Sequence, residues 1–246
     1  MPTLFACLPR FAAVAALALV AGLPAGAAAL RIQGSGVSHT ETRAVAGFQR
    51  IALGVMADVE LRQGTTEGLA ITGDDNIVAR VETVVDNGTL RIRWKDRDTQ
   101  ASYRQLRLVI SARTVDELTI GGAGRVHAER LQAPAFKATL GGSGEVAIDA
   151  LEAKTVGLTL AGSGKVKVAG HADTLDATLA GGGEVAAAKL AARTARLTLQ
   201  GSGRAVVRAA EKLDVTMAGS GDVVYFGNPT VRSTIMGSGT VTAGKE

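Results

Sequence analysis

The segment Thr-Leu-Ala-Gly-Ser-Gly at residues 159–164 is one of seven related copies in the second half of this 246-residue chain. Every copy has a threonine three residues before a Gly-X-Gly, and a large aliphatic residue or methionine two residues before it. The first glycines of successive Gly-X-Gly motifs are 20, 20, 19, 20, 18 and 18 residues apart. The copies occupy residues 119–124, 139–144, 159–164, 178–183, 198–203, 216–221 and 234–239. A repeat of about twenty residues predicts a solenoid, in which each repeat stacks on the previous one.

The residues before each motif alternate between apolar and other side chains, as in Val156, Leu158 and Leu160. A period of two is typical of a β-strand with one buried face. The pattern therefore predicts an all-β fold, a right-handed parallel β-helix (β-solenoid) with coils of about 18–20 residues. We expect each coil to contain about three strands of three to five residues, separated by tight turns.

The Gly-X-Gly motifs are expected to form one corner of the solenoid, where the backbone adopts angles that a Cβ atom disfavours. Leucines before the motif would form a ladder inside the coils. Gly34-Ser35-Gly36 looks like an outlying copy of the same corner. The serines expected at this corner are Ser35, Ser143, Ser163, Ser202, Ser220 and Ser238.

Two other repeat classes do not fit. Leucine-rich repeats need a recurring asparagine, and none recurs here. Calcium-binding nonapeptide arrays need an aspartate two residues after the last glycine, where the copy at 139–144 is followed by Val146. The residue directly after each motif is Arg125, Glu145, Lys165, Glu184, Arg204, Asp222 or Thr240. We interpret this mixture of both signs as a solvated corner and not as a stacked cation site.

Residues 1–29 are predicted to be a cleaved signal peptide. An apolar stretch from Phe11 to Leu23 follows Arg10, and small residues offer cleavage after Ala27 or Ala29. The only cysteine, Cys7, lies within this segment, so we expect a mature protein without a thiol. We see no second apolar segment in the sequence that would anchor the protein in a membrane, so no stable membrane anchor is expected. The expected location is therefore periplasmic or extracellular.

The remaining chain divides at the start of the strict repeat. Residues 118–246 are predicted to form the regular Gly-X-Gly coils, and residues 30–117 to form irregular amino-terminal coils and a cap. Asp86-Asn87-Gly88 predicts a turn between two strands of this cap. Its isolated aromatic residues, Phe48, Trp94 and Tyr103, are expected to serve the cap or the core.

The charged and polar residues favour no known catalytic or metal chemistry. The formal net charge is only +4 and both signs are interleaved, so no nucleic-acid partner is expected. His39, His127 and His171 have no metal-ligand spacing. Asp74-Asp75-Asn76 offers oxygen ligands, but three adjacent residues cannot surround a cation, and a turn is the preferred interpretation. We therefore predict no catalytic residues, no metal site and no cofactor.

Four segments and the repeats together resemble a known family. They are residues 48–53 (Phe-Gln-Arg-Ile-Ala-Leu), 57–64 (Ala-Asp-Val-Glu-Leu-Arg-Gln-Gly), 69–77 (Leu-Ala-Ile-Thr-Gly-Asp-Asp-Asn-Ile) and 86–90 (Asp-Asn-Gly-Thr-Leu). With the repeated Gly-Ser-Gly-Asp/Glu-Val, they resemble the autotransporter-adhesin head (GIN) domain family over about residues 48–235. The resemblance implies a right-handed β-helix of the kind found in exported bacterial proteins. The name of the family also implies a role in adhesion. Arg125, Lys165 and Arg204 depart from the acidic residue that is more usual in that family.

Three functional hypotheses follow from the sequence. The first is a non-catalytic, adhesin-like module that binds a glycan or a cell-envelope component along its flat faces, motivated by the Thr and Ser ladders. The second is a carbohydrate-active β-helix enzyme with a site near Asp74, Asp75 and Tyr103. The third is a structural envelope scaffold that forms homo-oligomers through end or side contacts, which uncovered strand edges after Val241 would favour.

Overall fold

The protein is an almost entirely β-structured solenoid in a computed structural model that describes residues 31–96 and 99–245. The signal peptide and Cys7 lie outside the described residues. The strands are β1 (Arg31–Gln33), β2 (Ser38–Arg43), β3 (Arg50–Leu53), β4 (Asp58–Gln63), β5 (Gly68–Asp74), β6 (Val81–Asp86), β7 (Thr89–Trp94), β8 (Gln100–Ser102), β9 (Leu106–Ala112), β10 (Glu117–Gly122), β11 (Arg125–Gly142), β12 (Glu145–Gly162), β13 (Lys165–Gly181), β14 (Glu184–Gly201), β15 (Arg204–Gly219), β16 (Asp222–Phe226), β17 (Thr230–Gly237) and β18 (Thr240–Ala243). A short helix α1 (Asp75–Val78) follows β5.

Each regular coil is one continuous strand. Strands β11 to β15 are 16–18 residues long, and each pairs in parallel with the next. The expectation of three short strands per coil is therefore wrong, although the predicted parallel β-solenoid is confirmed. Backbone pairing with the neighbouring coils extends along each of these strands apart from a few register shifts, so only the Gly-X-Gly corner ends one strand and begins the next.

The two glycines of the corner motif are required for different reasons. Gly162 has φ of 129°, and a Cβ atom there would lie 2.3 Å from the carbonyl oxygen of Gly142 in the preceding coil. At Gly164, a Cβ atom would lie 2.6 Å from the carbonyl oxygen of Gly144. Real Cβ atoms do not approach other atoms this closely. The predicted corner is confirmed, and it depends on backbone angle at one glycine and on close packing at both.

The coils of 18 or 19 residues contain bulges, which keep the strand residues before and after the missing positions in register with the longer coils. Between β12 and β13, the pairing shifts between Ile148 and Leu151, where the 19-residue step loses its residue. Gly170 pairs with Leu151 at this bulge and has φ of 126°. The pairing then continues without interruption to Gly162 and Gly181. Identical positions of successive coils therefore form continuous columns along the solenoid.

Apolar columns fill the inside of the solenoid. One column precedes the corner and consists of Ile120, Leu140, Leu160, Leu179, Leu199 and Met217, and every member is at most 1% exposed. A second follows the corner and consists of Val126, Val146, Val166, Val185, Ala205 and Val223. Among the described residues, no polar or charged side chain is buried. The interior is a hydrophobic core.

The amino-terminal region combines parallel coils with antiparallel additions. Strands β3, β4, β7 and β9 continue the parallel stack before β10 and β11. Strand β5 pairs antiparallel with β9 and β2, and β6 pairs antiparallel with β7. The predicted turn between β6 and β7 is confirmed: Asn87 and Gly88 both have positive φ, 48° and 72°. That geometry closes a two-residue hairpin.

The predicted outlying corner at Gly34-Ser35-Gly36 is wrong. This segment follows β1, which pairs with β8 in a separate two-stranded sheet. The Ser35 hydroxyl donates to Asp75 Oδ1 over 2.5 Å, and the Ser35 amide donates to Asn76 Oδ1 over 3.0 Å. The segment therefore fastens the amino terminus to α1 and does not stack on the Gly-X-Gly corners. Its spacing from the other copies never matched the period of the repeat, which is the signal that separates it from them.

Candidate functional site

A column of seven threonines lies on one outer face of the solenoid. Each stands two residues before a small-residue column and pairs in register with the threonine of the next coil. We call this column the threonine face; it consists of Thr119, Thr139, Thr159, Thr178, Thr198, Thr216 and Thr234. Neighbouring coils are about 4.8 Å apart, so the seven hydroxyls span about 29 Å.

Small side chains keep the surface beside the threonine face shallow. Because side chains alternate along a strand, the residue two positions after each threonine lies on the same face. The positions are Gly121, Gly141, Ala161, Ala180, Gln200, Ala218 and Met236. Five of the seven carry at most a methyl group, so the surface beside the threonines is shallow except at Gln200 and Met236.

The hydroxyls of the threonine face make no side-chain hydrogen bond within the part of the chain that the structure describes. A second threonine column on the same strands differs in this respect. There Thr194 Oγ1 donates to the carbonyl oxygen of Asp173 over 3.4 Å and to Thr174 Oγ1 over 3.5 Å. Thr155 pairs in register with Thr174 and completes this column. The threonine face therefore keeps its hydrogen-bonding capacity for water or a ligand.

Charged residues of alternating sign form a column on the other side of the threonine face. The column reads Arg50, Glu117, Lys137, Gly157, Asp176, Arg196, Asp214 and Arg232 in coil order. Every charged residue in it has the opposite sign from the next charged residue. Lys212 also donates to Asp214, which lowers the pKa of the Asp214 carboxyl. The column presents local charges but no net field of one sign.

A second alternating column follows the Gly-X-Gly corner. It reads Arg107, Asp58, Arg125, Glu145, Lys165, Glu184, Arg204 and Asp222. Lys165 Nζ lies 2.9 Å from Glu184 Oε2. The sequence shows both signs at this position, and their alternation becomes visible when residues one coil apart are compared. The signal was available, because residues one repeat apart are neighbours in a solenoid and opposite charges on neighbouring strands attract.

An open polar groove of about 420 Å³ lies where the amino-terminal region meets the corner. Tyr103 and Arg104 form one side of it, and Ser143 and Ser163 of the corner form the other. The Tyr103 hydroxyl donates to the carbonyl oxygen of Met56, and burial raises the pKa of Tyr103 to about 12. The phenol is therefore held as a neutral structural donor.

The residues proposed for an enzyme site do come together, but Asp75 and Tyr103 already make hydrogen bonds within the chain. Gly34 lies between Asp74 and Tyr103, since a Cβ atom there would be 1.7 Å from Asp74 Oδ2 and 3.4 Å from Tyr103 Cβ. Asp75 accepts hydrogen bonds from Ser35 and from the Asn76 amide, and these lower the pKa of the Asp75 carboxyl. The acidic segment thus ends β5, begins α1 and holds the amino terminus, so a short helix stands where the sequence predicted a turn.

The isolated histidines and aromatic residues have separate structural surroundings. His127 contacts Asp149 over 2.8 Å, and it pairs with Ala147, whereas His171 pairs with Glu152 in a different column. Phe48 is buried in the core. Trp94 and Tyr103 pack edge to face with ring centroids 5.9 Å apart. Within residues 31–96 and 99–245, no group of three His, Cys, Asp or Glu side chains could hold a metal ion, and no helix has the length and hydropathy needed to cross a membrane.

The fold and its outer columns define a β-solenoid with a repetitive outer surface. The chain belongs to the family described as "Putative auto-transporter adhesin, head GIN domain", which matches residues 47–229. The family resemblance inferred from the sequence is therefore confirmed.

Solved structures agree with this assignment. A putative adhesin from Bacteroides fragilis NCTC 9343 is 26% identical, with a TM-score of 0.78 over 86% of this chain and 98% of that one. A putative lipid binding protein from Parabacteroides distasonis ATCC 8503 is 25% identical, with a TM-score of 0.75 over 87% of this chain and 100% of that one. No curated protein matches the chain.

Proposed function

We propose that the protein is an exported, non-catalytic binding module of the adhesin type, which holds an extended glycan chain of the cell envelope on its threonine face. The observation that carries the proposal is the row of seven threonines in register whose hydroxyls make no side-chain hydrogen bond within the described chain. A polymer with regularly spaced hydroxyl groups is the complementary ligand, because it can repeat one modest contact many times.

The neighbouring columns support an uncharged polymer. On one side, small side chains leave room for sugar rings to lie flat against the sheet, and their C–H faces would contact alanine methyl groups. On the other side, the column from Arg50 to Arg232 alternates in sign, so a polyanion would meet repulsion at every second charged coil. A neutral or self-neutralised glycan meets no such penalty.

Export and the absence of catalysis belong to the same proposal. The adhesin-type family and the predicted signal peptide at residues 1–29 support a location outside the cytoplasm. Asp74 and Asp75 come closest to an enzyme-like pair of carboxylates. Asp75 already accepts hydrogen bonds from Ser35 and Asn76. Paired acids for glycoside hydrolysis need a free acid and a free base on opposite sides of a cleft.

The test compares two triple variants on the same three coils. Thr159→Val, Thr178→Val and Thr198→Val together remove three hydroxyls from the threonine face with little change in shape. Thr155→Val, Thr174→Val and Thr194→Val are the matched control, because they change the column of β12 to β14 in which Thr194 donates to Thr174. Binding to a panel of neutral and charged envelope polysaccharides is measured for the full chain, with shortened products assayed in the same wells.

We expect the first triple variant to weaken binding of a neutral glycan about 10- to 100-fold, since each lost hydrogen bond contributes about 1 kcal/mol or less. The control triple should change the affinity less than about threefold. Equal losses in both variants, or no binding to any neutral polymer, would contradict the proposed site. Product formation by the unmodified chain would contradict the non-catalytic assignment.

A further inference from the structure

The last coil of the solenoid leaves one edge of its sheet without a partner in the described chain. Strand β17 pairs only with β15, and β18 pairs only with β16. On the side of β17 and β18 that faces away from β15 and β16, the backbone N–H and C=O groups therefore point away from the stack. Backbone N–H and C=O groups in such a row are a template for pairing with another strand.

The hydrophobic core also reaches the surface at this end. Val231, Ile235 and Val241 pair in register with the buried residues Leu213, Met217 and Val223 of the coil before. Ile235 is nevertheless 39% exposed, and the neighbouring Met236 is 64% exposed. Val231, Ile235 and Val241 occupy interior positions of the repeat, but no coil covers them within the described chain.

The open edge carries little of the protection that exposed edges usually have. Arg232 is the single charged residue between Thr230 and Ala243, and there is no proline in either strand. At the other end of the solenoid, the edge strand β2 carries His39, Glu41 and Arg43. Charged edge strands resist pairing with a second chain, and uncharged ones do not.

We propose that the open carboxy-terminal end binds the same end of a second copy of this chain. A two-fold axis perpendicular to the solenoid would place the two β17 strands antiparallel, so that each edge supplies what the other lacks. Val231, Ile235 and Val241 of both copies would then share one core. The amino-terminal end is closed by antiparallel strands, so it offers no parallel edge on which the carboxy-terminal end of another copy could stack head to tail.

The area of the end is close to what a stable contact buries. A coil of about 20 residues at about 3.3 Å per residue has a perimeter of about 66 Å, and with outward side chains its end covers about 700 Å². A standard protein interface buries about 800 Å² per partner. Because the contact uses the same surface on both copies, it closes at two copies and does not propagate into a fibre.

The experiment measures the mass of the full chain in solution by sedimentation at concentrations from 1 to about 100 μM, a range that covers typical weak to moderate self-association. We expect twice the chain mass of 25.1 kDa at the upper end of this range. Ile235→Lys should raise the dimer dissociation constant at least 100-fold, because it places two like charges in the shared core. The matched control is Val84→Lys, on the edge strand β6 of the other end, since Val84 is 40% exposed and Ile235 is 39% exposed.

The control should remain a dimer with an unchanged dissociation constant. A monomer throughout the concentration range, a polymer larger than two copies, or dissociation caused by Val84→Lys would each overturn the proposal. If Ile235→Lys does not fold, amide hydrogen exchange of the unmodified chain decides. Protection of the β17 amides that increases with concentration supports the dimer, and exchange that does not depend on concentration refutes it.

Discussion

The two ends of the solenoid solve the same problem differently. At the amino-terminal end, α1 and the antiparallel strands β2 and β6 cover the stack, and Ile77 and Val78 of α1 and Val81 of β6 are fully buried. At the carboxy-terminal end, Ile235 occupies an interior position of the repeat but remains 39% exposed. A repeat buries its inward side chains only when a neighbour covers it, so position in the stack, and not the repeat sequence, sets burial.

The capped end is also the part that departs most from the repeat. It uses local devices that occur once, such as the Asn87-Gly88 turn and the hydrogen bonds between Ser35 and the start of α1. The array uses one device many times, the Gly-X-Gly corner. A change in the array should therefore disturb two neighbours, whereas a change in the last coil should disturb one.

The largest expected effect comes from the corner glycines. Gly162→Ala would place a Cβ atom 2.3 Å from Gly142 O, at φ of 129°, with coils fixed on both sides. We expect the free energy of unfolding to fall by about 3 kcal/mol or more. Gly237→Ala meets a similar contact, 2.1 Å from Gly219 O, but the last coil can move away, so the loss should be about 1–2 kcal/mol.

Urea denaturation followed by circular dichroism measures both glycine variants. A larger loss in the free energy of unfolding for Gly162→Ala than for Gly237→Ala is expected if the middle coils are held more tightly than the last coil. Equal losses for Gly162→Ala and Gly237→Ala would show that the last coil is as tightly held as the coils in the middle.

The second prediction compares the two ends directly. Ile77→Ala should lower the free energy of unfolding by about 2–4 kcal/mol, because Ile77 lies on α1 at the capped end and is fully buried. Ile235→Ala should cost about 1 kcal/mol or less in dilute protein, because this side chain is partly in water. Thermal unfolding at low chain concentration tests the pair. A larger loss for Ile235→Ala would mean that the carboxy-terminal end is covered even in dilute solution.

A smaller effect is expected from the alternating charges after the corner. Glu184 lies between Lys165 and Arg204, so Glu184→Lys creates three adjacent positive charges. The free energy of unfolding should fall by about 0.5–1 kcal/mol at low salt, since these side chains are partly exposed. Glu82→Lys is the control at the capped end, because Glu82 pairs with the single cation Arg93 on the neighbouring strand of the described chain. Urea titrations at low and high salt should show the larger salt dependence for Glu184→Lys.

The smallest effect concerns pH at the capped end. Burial raises the pKa of Tyr103 to about 12, above its ordinary value of 10.0. The unfolded chain therefore loses this proton first, and the stabilisation by neutral Tyr103 is complete below pH 10 and is lost as the pH rises towards 12. Phenolate absorbance should show a late-titrating tyrosine that Tyr103→Phe removes. A titration of all phenols near pH 10 would refute the burial of Tyr103.

Much of the array could be predicted from residues one repeat apart. The spacing of Gly142, Gly162 and Gly181 predicted the corner, and the alternation before each motif predicted the inward leucines. The cap could not be predicted in the same way, because β2 and β5 pair antiparallel and their partners follow no period. Ser35 was assigned to the corner on the strength of a three-residue motif, while its hydrogen bonds run to Asp75 and Asn76.

The candidate site was only partly visible before the fold was known. The threonine ladder was expected from the repeat, but hydroxyl groups at Thr174 and Thr194 bond to each other while those of the threonine face do not. This difference depends on side-chain distances between coils. Likewise, the order of charges from Arg107 to Asp222 becomes an alternating column only when the coils are in register.

The sequence by itself determined the β-solenoid, its period, the glycine corner and the family, because each follows from regularities repeated along the chain. Tertiary structure decided that each coil is one continuous strand, that one end is capped and the other open, and which threonines keep free hydroxyl groups. These properties depend on which backbone and side-chain groups find partners across coils. A local pattern specifies what a coil can offer, and stacking decides what remains unpaired.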